Sequence, residues 1–137
     1  MIAPDRNPNA GRSGLRLVLL ADDDLEVRSG VAELLSPLGL EFLHAESGPQ
    51  AVEILRLELV RLDLLVLDMH MPGFGGLEVL NRLRDELGSL PTICCSGEAT
   101  DELAARALEA GARAFLRKPL QPLALREEVI RALELDH

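Results

Sequence analysis

Asp22, Asp23, Asp68, Ser96 and Lys118 each stand at the carboxyl end of an apolar run, and their side chains are the ones best suited to chemistry. Ligands of open parallel α/β sheets gather beyond the carboxyl ends of the strands. Three carboxylates brought to one place repel each other unless a cation lies among them or one stays protonated. A hard divalent ion such as Mg²⁺ suits them, because it takes oxygen ligands, keeps several waters and uses one or two carboxylates. A lysine and a hydroxyl on the far side would face the oxygens of an anion held between metal and ammonium. That layout serves phosphoryl transfer, where catalysis is mostly positioning and charge neutralisation. An aspartate is also an established nucleophile, forming an acyl phosphate.

Each residue has a plainer use. Acids at Asp22, Asp23 and Asp24 suit a helix start, where they favour the dipole and cap free N–H groups, and for Asp24 this is the preferred reading. Asp68 could close an Asx turn, Ser96 could cap, and Lys118 could be a surface charge. Taken one at a time these uses are common. The joint placement at the ends of separate strands favours a site.

The elements that must position these groups follow from the apolar pattern. Residues 15–21 read as a buried strand, and a helix from Leu25 carries Val27, Val31, Leu34, Leu35 and Leu38 until Gly39. Residues 40–45 form a second strand. Ser47 and Gln50 then read as a capping box, with Pro49 in the first turn. The helix it opens bears Val52, Leu55, Leu59 and Leu62 but also Ile54, Leu57 and Val60, wider than one buried stripe. Its excess face is either an apolar surface or a partner contact. Residues 63–68 form strand three, a run buried on both faces. Pro72, Gly73, Gly75 and Gly76 force a loop before a helix through Leu77, Leu80, Leu83 and Leu87. Strand four spans 91–96, a helix covers roughly residues 100–110 with Gly111 closing it, strand five spans 113–118, and a last helix runs over 122–135. Such alternation predicts an α/β fold, one doubly wound domain with a parallel sheet covered on both faces.

Composition narrows the function classes. A chain of 137 residues holds one core, and 47% hydrophobic residues suffice to fill it. Phe42, Phe74 and Phe115 are the only aromatic residues, which weighs against base-stacking readers of single strands. A formal charge of −9 opposes direct nucleic-acid binding and suits cations or basic partners. Cys94 and Cys95 are adjacent on a strand, point to opposite faces, and read as reduced core thiols of a cytoplasmic protein. Residues 1–14 are polar, lack the apolar core of a signal peptide and read as a flexible leader, and no apolar run reaches membrane-spanning length. The expected organisation is a leader over 1–14 and one domain over 15–137.

Four pieces now align in order and spacing: the strand ending in Asp22, Asp23 and Asp24; the strand ending in Asp68 with Met69, His70, Met71, Pro72 and the glycines behind it; Ser96 followed by Gly97; and Gly111 through Phe115 to Lys118 and Pro119. Over residues 15–135 the chain resembles the receiver domain of two-component response regulators. The resemblance implies a (βα)5, flavodoxin-like fold with strand order 2-1-3-4-5. Asp68 would accept a phosphoryl group from phosphohistidine on a sensor histidine kinase or a histidine phosphotransfer protein. Mg²⁺, or Mn²⁺ in its place, would be ligated by Asp23, Asp68 and the backbone carbonyl of His70, with Asp22 acting mainly through a metal-bound water. Lys118 and the Ser96 hydroxyl would contact the phosphoryl oxygens, and Phe115 would turn inward as Ser96 moves. The Lys118–Pro119 bond would be cis, and the output face would be the fourth helix, fifth strand and fifth helix.

The chain departs from the family pattern at Phe74-Gly75-Gly76, where an acid often precedes the last glycine, and this implies altered loop mobility rather than inactivity. His70 and Glu98 fall at positions that vary in the family and tune phosphoryl lifetime. The resulting expectation is a phosphorylation-dependent switch acting on a downstream effector not legible here, with homodimerisation on phosphorylation as one outcome. Two alternatives stand beside it. One is a pseudo-receiver that binds partners without phosphorylation, disfavoured because every acceptor and metal position is filled. The other is an aspartate phosphatase, ranked last because His70 stands where those enzymes carry a second acid.

Overall fold

A computed structural model describes residues 15–98 and 100–134. The expected leader over 1–14 and the end of the last expected helix lie outside them. Five strands, β1 (Arg16–Ala21), β2 (Leu40–Ala45), β3 (Leu64–Asp68), β4 (Thr92–Ser96) and β5 (Ala114–Arg117), form one sheet in the order β2-β1-β3-β4-β5. Every neighbouring pair is parallel. The helices between and after them are α1 (Leu25–Leu35), α2 (Gly48–Glu58), α3 (Gly76–Arg82), α4 (Asp101–Glu109) and α5 (Pro122–Leu133). Fold class and strand order are those expected.

Strand alternation divides the core into two layers. Leu17, Leu19, Leu65, Leu67 and Cys94 pack on one side with Val52 and Leu55 of α2, Val79 and Leu80 of α3, and Ala107 of α4. Val18, Leu20, Val66, Ile93 and Cys95 pack on the other with Val31 and Leu35 of α1 and Leu125 and Val129 of α5. Cys94 and Cys95 are free and buried in different layers, as expected. Desolvation pushes the Cys95 thiol up to about 12, so it stays protonated at neutral pH.

Helix starts follow the cap residues. Asp24 accepts from the Glu26 N–H at 2.9 Å, Ser47 from the Gln50 N–H at 3.2 Å, and Thr100 from the Leu103 N–H at 3.0 Å. The reciprocal arm of the expected box lands one residue early: Gln50 accepts from the Glu46 N–H at 2.7 Å. On α2 and the turn after it, Ile54 and Leu59 pack onto the core while Leu57 and Val60 are 72% and 78% exposed. The excess apolar positions are thus partly core and partly surface.

The third helix is shorter than its periodicity predicts. After Arg82 the backbone widens into a π-turn over Leu83–Leu87, closed by the Gly88 N–H donating to the Leu83 carbonyl at 2.8 Å. Leu83 stays buried and Leu87 packs against the same layer, so apolar spacing alone does not distinguish the two helix types here.

Two features of this frame position the site. The chain turns back between β1 and β3, so the crevice at the switch point opens between the strand ends carrying Asp22 and Asp68. The loop after β3 is pressed onto the start of α2: the Gly48 N–H donates to the Pro72 carbonyl at 3.2 Å, and a Cβ on Gly48 would lie 2.0 Å from the Phe74 oxygen.

Candidate functional site

Asp22, just beyond β1, and Asp68, the last residue of β3, are 6% and 5% exposed, whereas Asp23 is exposed. One carboxylate oxygen from each of the three lies within 4.8 Å of the other two. Lys118, just beyond β5, reaches this cluster from two strands away. Its Nζ donates to Asp22 Oδ2 at 2.8 Å and stands 3.4 Å from Asp68 Oδ1.

The turn role and the site role of these acids coexist, because a carboxylate has two oxygens. Asp22 Oδ1 accepts from the Asp24 N–H at 2.9 Å while Oδ2 takes Lys118. Asp68 accepts from the backbone N–H of His70 and pairs with Lys118. Asp24 serves as the helix cap.

Charge is finely balanced. Burial and the nearby Asp22 charge push the Asp68 carboxyl above its ordinary value, against the pull of Lys118 and the His70 N–H. Burial pulls the Lys118 ammonium down, but the Asp22 hydrogen bond and the Asp68 charge outweigh it and hold the group above its usual range. The three carboxylates supply the hard oxygen donors that Mg²⁺ takes, and Lys118 alone does not neutralise them.

Ser96 ends β4 fully buried, and its Oγ accepts from the Glu98 N–H at 3.1 Å. Its carbonyl accepts from the Lys118 N–H at 2.9 Å, which ties the end of β4 to the lysine. Phe115, on β5, pairs with Cys94 of β4 and is half-buried against the α3–α4 side of the core. The His70 side chain is exposed. The Lys118–Pro119 bond is cis, as expected.

One residue at the site escaped the sequence reading. Arg28, on α1, is 7% exposed, and its Nη1 donates to the Asp22 carbonyl at 2.5 Å. It shares the inward face of α1 with Val31 and Leu35, at i, i+3 and i+7. A charged residue on an apolar stripe was the available signal.

A family model for the response regulator receiver domain matches residues 18–130. The chain belongs to this family. Receiver domains are phosphorylation-based signalling domains that bind Mg²⁺ at an acidic pocket, and Asp22, Asp23 and Asp68 form an acidic cluster in this chain. They interact with histidine kinases or phosphotransfer proteins. Among curated relatives, this receiver domain is 36% identical over 118 residues to the transcriptional activator protein ExaE of Pseudomonas putida, covering 85% of this chain and 54% of that one. It is 35% identical over 118 residues to the nitrate/nitrite response regulator protein NarL of Escherichia coli K12, covering 85% and 52%. The chain therefore spans about half the length of these relatives. A CheY-like response regulator receiver domain structure from Methanospirillum hungatei superposes with a TM-score of 0.80 at 26% identity, covering 88% of this chain and 94% of that one. Among the described residues, no helix is long and apolar enough to cross a membrane.

Proposed function

We propose that the chain is a phosphorylation switch in which Asp68 accepts a phosphoryl group from a phosphohistidine of a sensor histidine kinase or histidine phosphotransfer protein. The observation that carries this reading is the convergence of Asp22, Asp23 and Asp68 within 4.8 Å, with Lys118 on Asp22 and Asp68. A carboxylate oxygen of Asp68 forms the new bond to phosphorus as the phosphorus–nitrogen bond of the donor breaks, and the imidazole leaves with the electron pair. Asp23, Asp68 and the His70 carbonyl would hold Mg²⁺, or Mn²⁺, with Asp22 acting through a metal-bound water, and the bound ion would supply charge neutralisation for the phosphoryl oxygens. Lys118 exchanges its carboxylate partners for a phosphoryl oxygen, and the Ser96 hydroxyl turns from the Glu98 N–H toward the same group. Phe115 then moves into the space behind Ser96 and alters the α4–β5–α5 face, which contacts the effector or a second copy of the chain. The whole of residues 15–137 acts as this receiver unit.

Intact mass after incubation with Mg²⁺ and a small-molecule phosphodonor tests the reading. The expected result is one added phosphoryl group, lost with EDTA and absent in Asp68→Asn. No addition with any donor, together with no Mg²⁺ binding, would favour a phosphorylation-independent scaffold.

A further inference from the structure

We propose that Arg28 is a positioning residue that holds the acidic turn after β1 in its metal-binding shape. The inference rests on the receiver-site reading above and adds a residue to it. Asp22 is constrained at both ends of its backbone: its N–H donates to the Ala45 carbonyl at 3.0 Å, and its carbonyl accepts Arg28 Nη1 at 2.5 Å. With Oδ1 on the Asp24 N–H, the only group of Asp22 left to exchange partners is Oδ2, now on Lys118. Arg28 is what closes the carbonyl end of that frame.

The guanidinium is itself aimed by a second contact. Arg28 Nε donates to His44 Nδ1 at 3.2 Å, so α1 is tied through one planar group to β2 and to the acidic turn. Accepting at Nδ1 requires that ring nitrogen to be unprotonated. Partial desolvation of the ring and the Arg28 charge both lower the His44 pKa, which keeps the ring an acceptor at neutral pH. Arg28 also borders a cavity of about 20 Å³ that Asp22 and Asp68 share, so it backs the acids from within while Lys118 approaches from another strand.

Positioning and simple charge make opposite predictions. A cation near a metal site repels Mg²⁺, so if Arg28 acted only as a charge, removing it would tighten binding. If it holds the turn, removing it loosens the ligands and weakens binding, as loss of outer partners of metal ligands does.

Mg²⁺ titration calorimetry on wild type, Arg28→Met, Arg28→Lys and His44→Leu, each checked for cooperative unfolding, decides between them. Arg28→Met is expected to bind Mg²⁺ about tenfold more weakly, and Arg28→Lys to recover most of that loss, because an ammonium still donates to the Asp22 carbonyl. His44 is exposed, so His44→Leu tests the same frame without disturbing the core, with an expected loss of about threefold. Unchanged or tighter binding in Arg28→Met overturns the proposal; if that variant does not fold, unchanged binding in His44→Leu does so. A wild-type protein that neither binds Mg²⁺ nor takes a phosphoryl group removes the receiver-site reading and this inference with it. Wild-type binding with unaltered variants overturns the inference alone.

Discussion

Lys118 Nζ lies 2.8 Å from Asp22 Oδ2 and 3.4 Å from Asp68 Oδ1, so one ammonium bridges two buried carboxylates on adjacent strands. It stands on the charge that a divalent cation would neutralise. Lys118→Met is therefore expected to tighten Mg²⁺ binding in calorimetry, by removing a competing cation, while slowing phosphorylation by about 100-fold through loss of an oxygen-facing donor. Tighter Mg²⁺ binding with undiminished phosphorylation would remove Lys118 from the transfer step.

The surroundings of Asp68 disfavour its charged form. Its native pKa is raised above the ordinary 3.8 by burial first and by Asp22 second. A carboxyl with a raised native pKa contributes stability below 3.8 that is lost as pH rises through the native value. Without Mg²⁺, Asp68→Asn is expected to unfold at a higher temperature than wild type at pH 7, with the gap closing below pH 4 (about the ordinary carboxyl range). An equal gap at both pH values would mean that charge is not the cause.

Metal removal gives a third expectation. Mg²⁺ at a hundredfold excess over its Kd should stabilise the fold by about 2.7 kcal/mol. Asp23 is exposed and has little structural role to lose, so Asp23→Asn should leave the EDTA-treated protein unchanged and abolish most of the Mg²⁺-induced shift in thermal unfolding. A full shift in that variant would place the metal elsewhere.

The loop behind Asp68 depends on a missing side chain. Gly48→Ala puts a Cβ 2.0 Å from the Phe74 oxygen, a backbone atom that yields only if residues 72–76 move. The expected cost is about 1–3 kcal/mol in urea unfolding, with slower phosphorylation because the displaced loop carries His70. Wild-type stability would show that the loop is free to shift away from α2.

Much of this molecule was legible in its sequence because local rules and global fold agree. The apolar runs ending at Asp22, Asp68 and Ser96 marked buried parallel strands, the caps Asp24 and Ser47 began helices where expected, and the helix expected near residue 100 starts there. A run buried on both faces, followed by glycines and a helix, has few other solutions. The polar groups at the strand ends then declared a candidate site before any geometry was known.

Tertiary structure decided the rest. Periodicity on α3 did not reveal the π-turn, because Leu83 and Leu87 face the core in either form. Spacing along α2 and the turn after it marked an excess apolar face but not its division, with Ile54 and Leu59 packed on the core and Leu57 and Val60 exposed. The partition of each carboxylate, one Asp22 oxygen for the turn and one for Lys118, depends on residues 96 positions apart in the chain. Arg28 was hidden for the same reason: its partners Asp22 and His44 lie on two different strands, and only the packing of α1 against β1 and β2 brings both within reach of one guanidinium. Local sequence sets which groups stand at the strand ends; the order of the strands decides which of them meet.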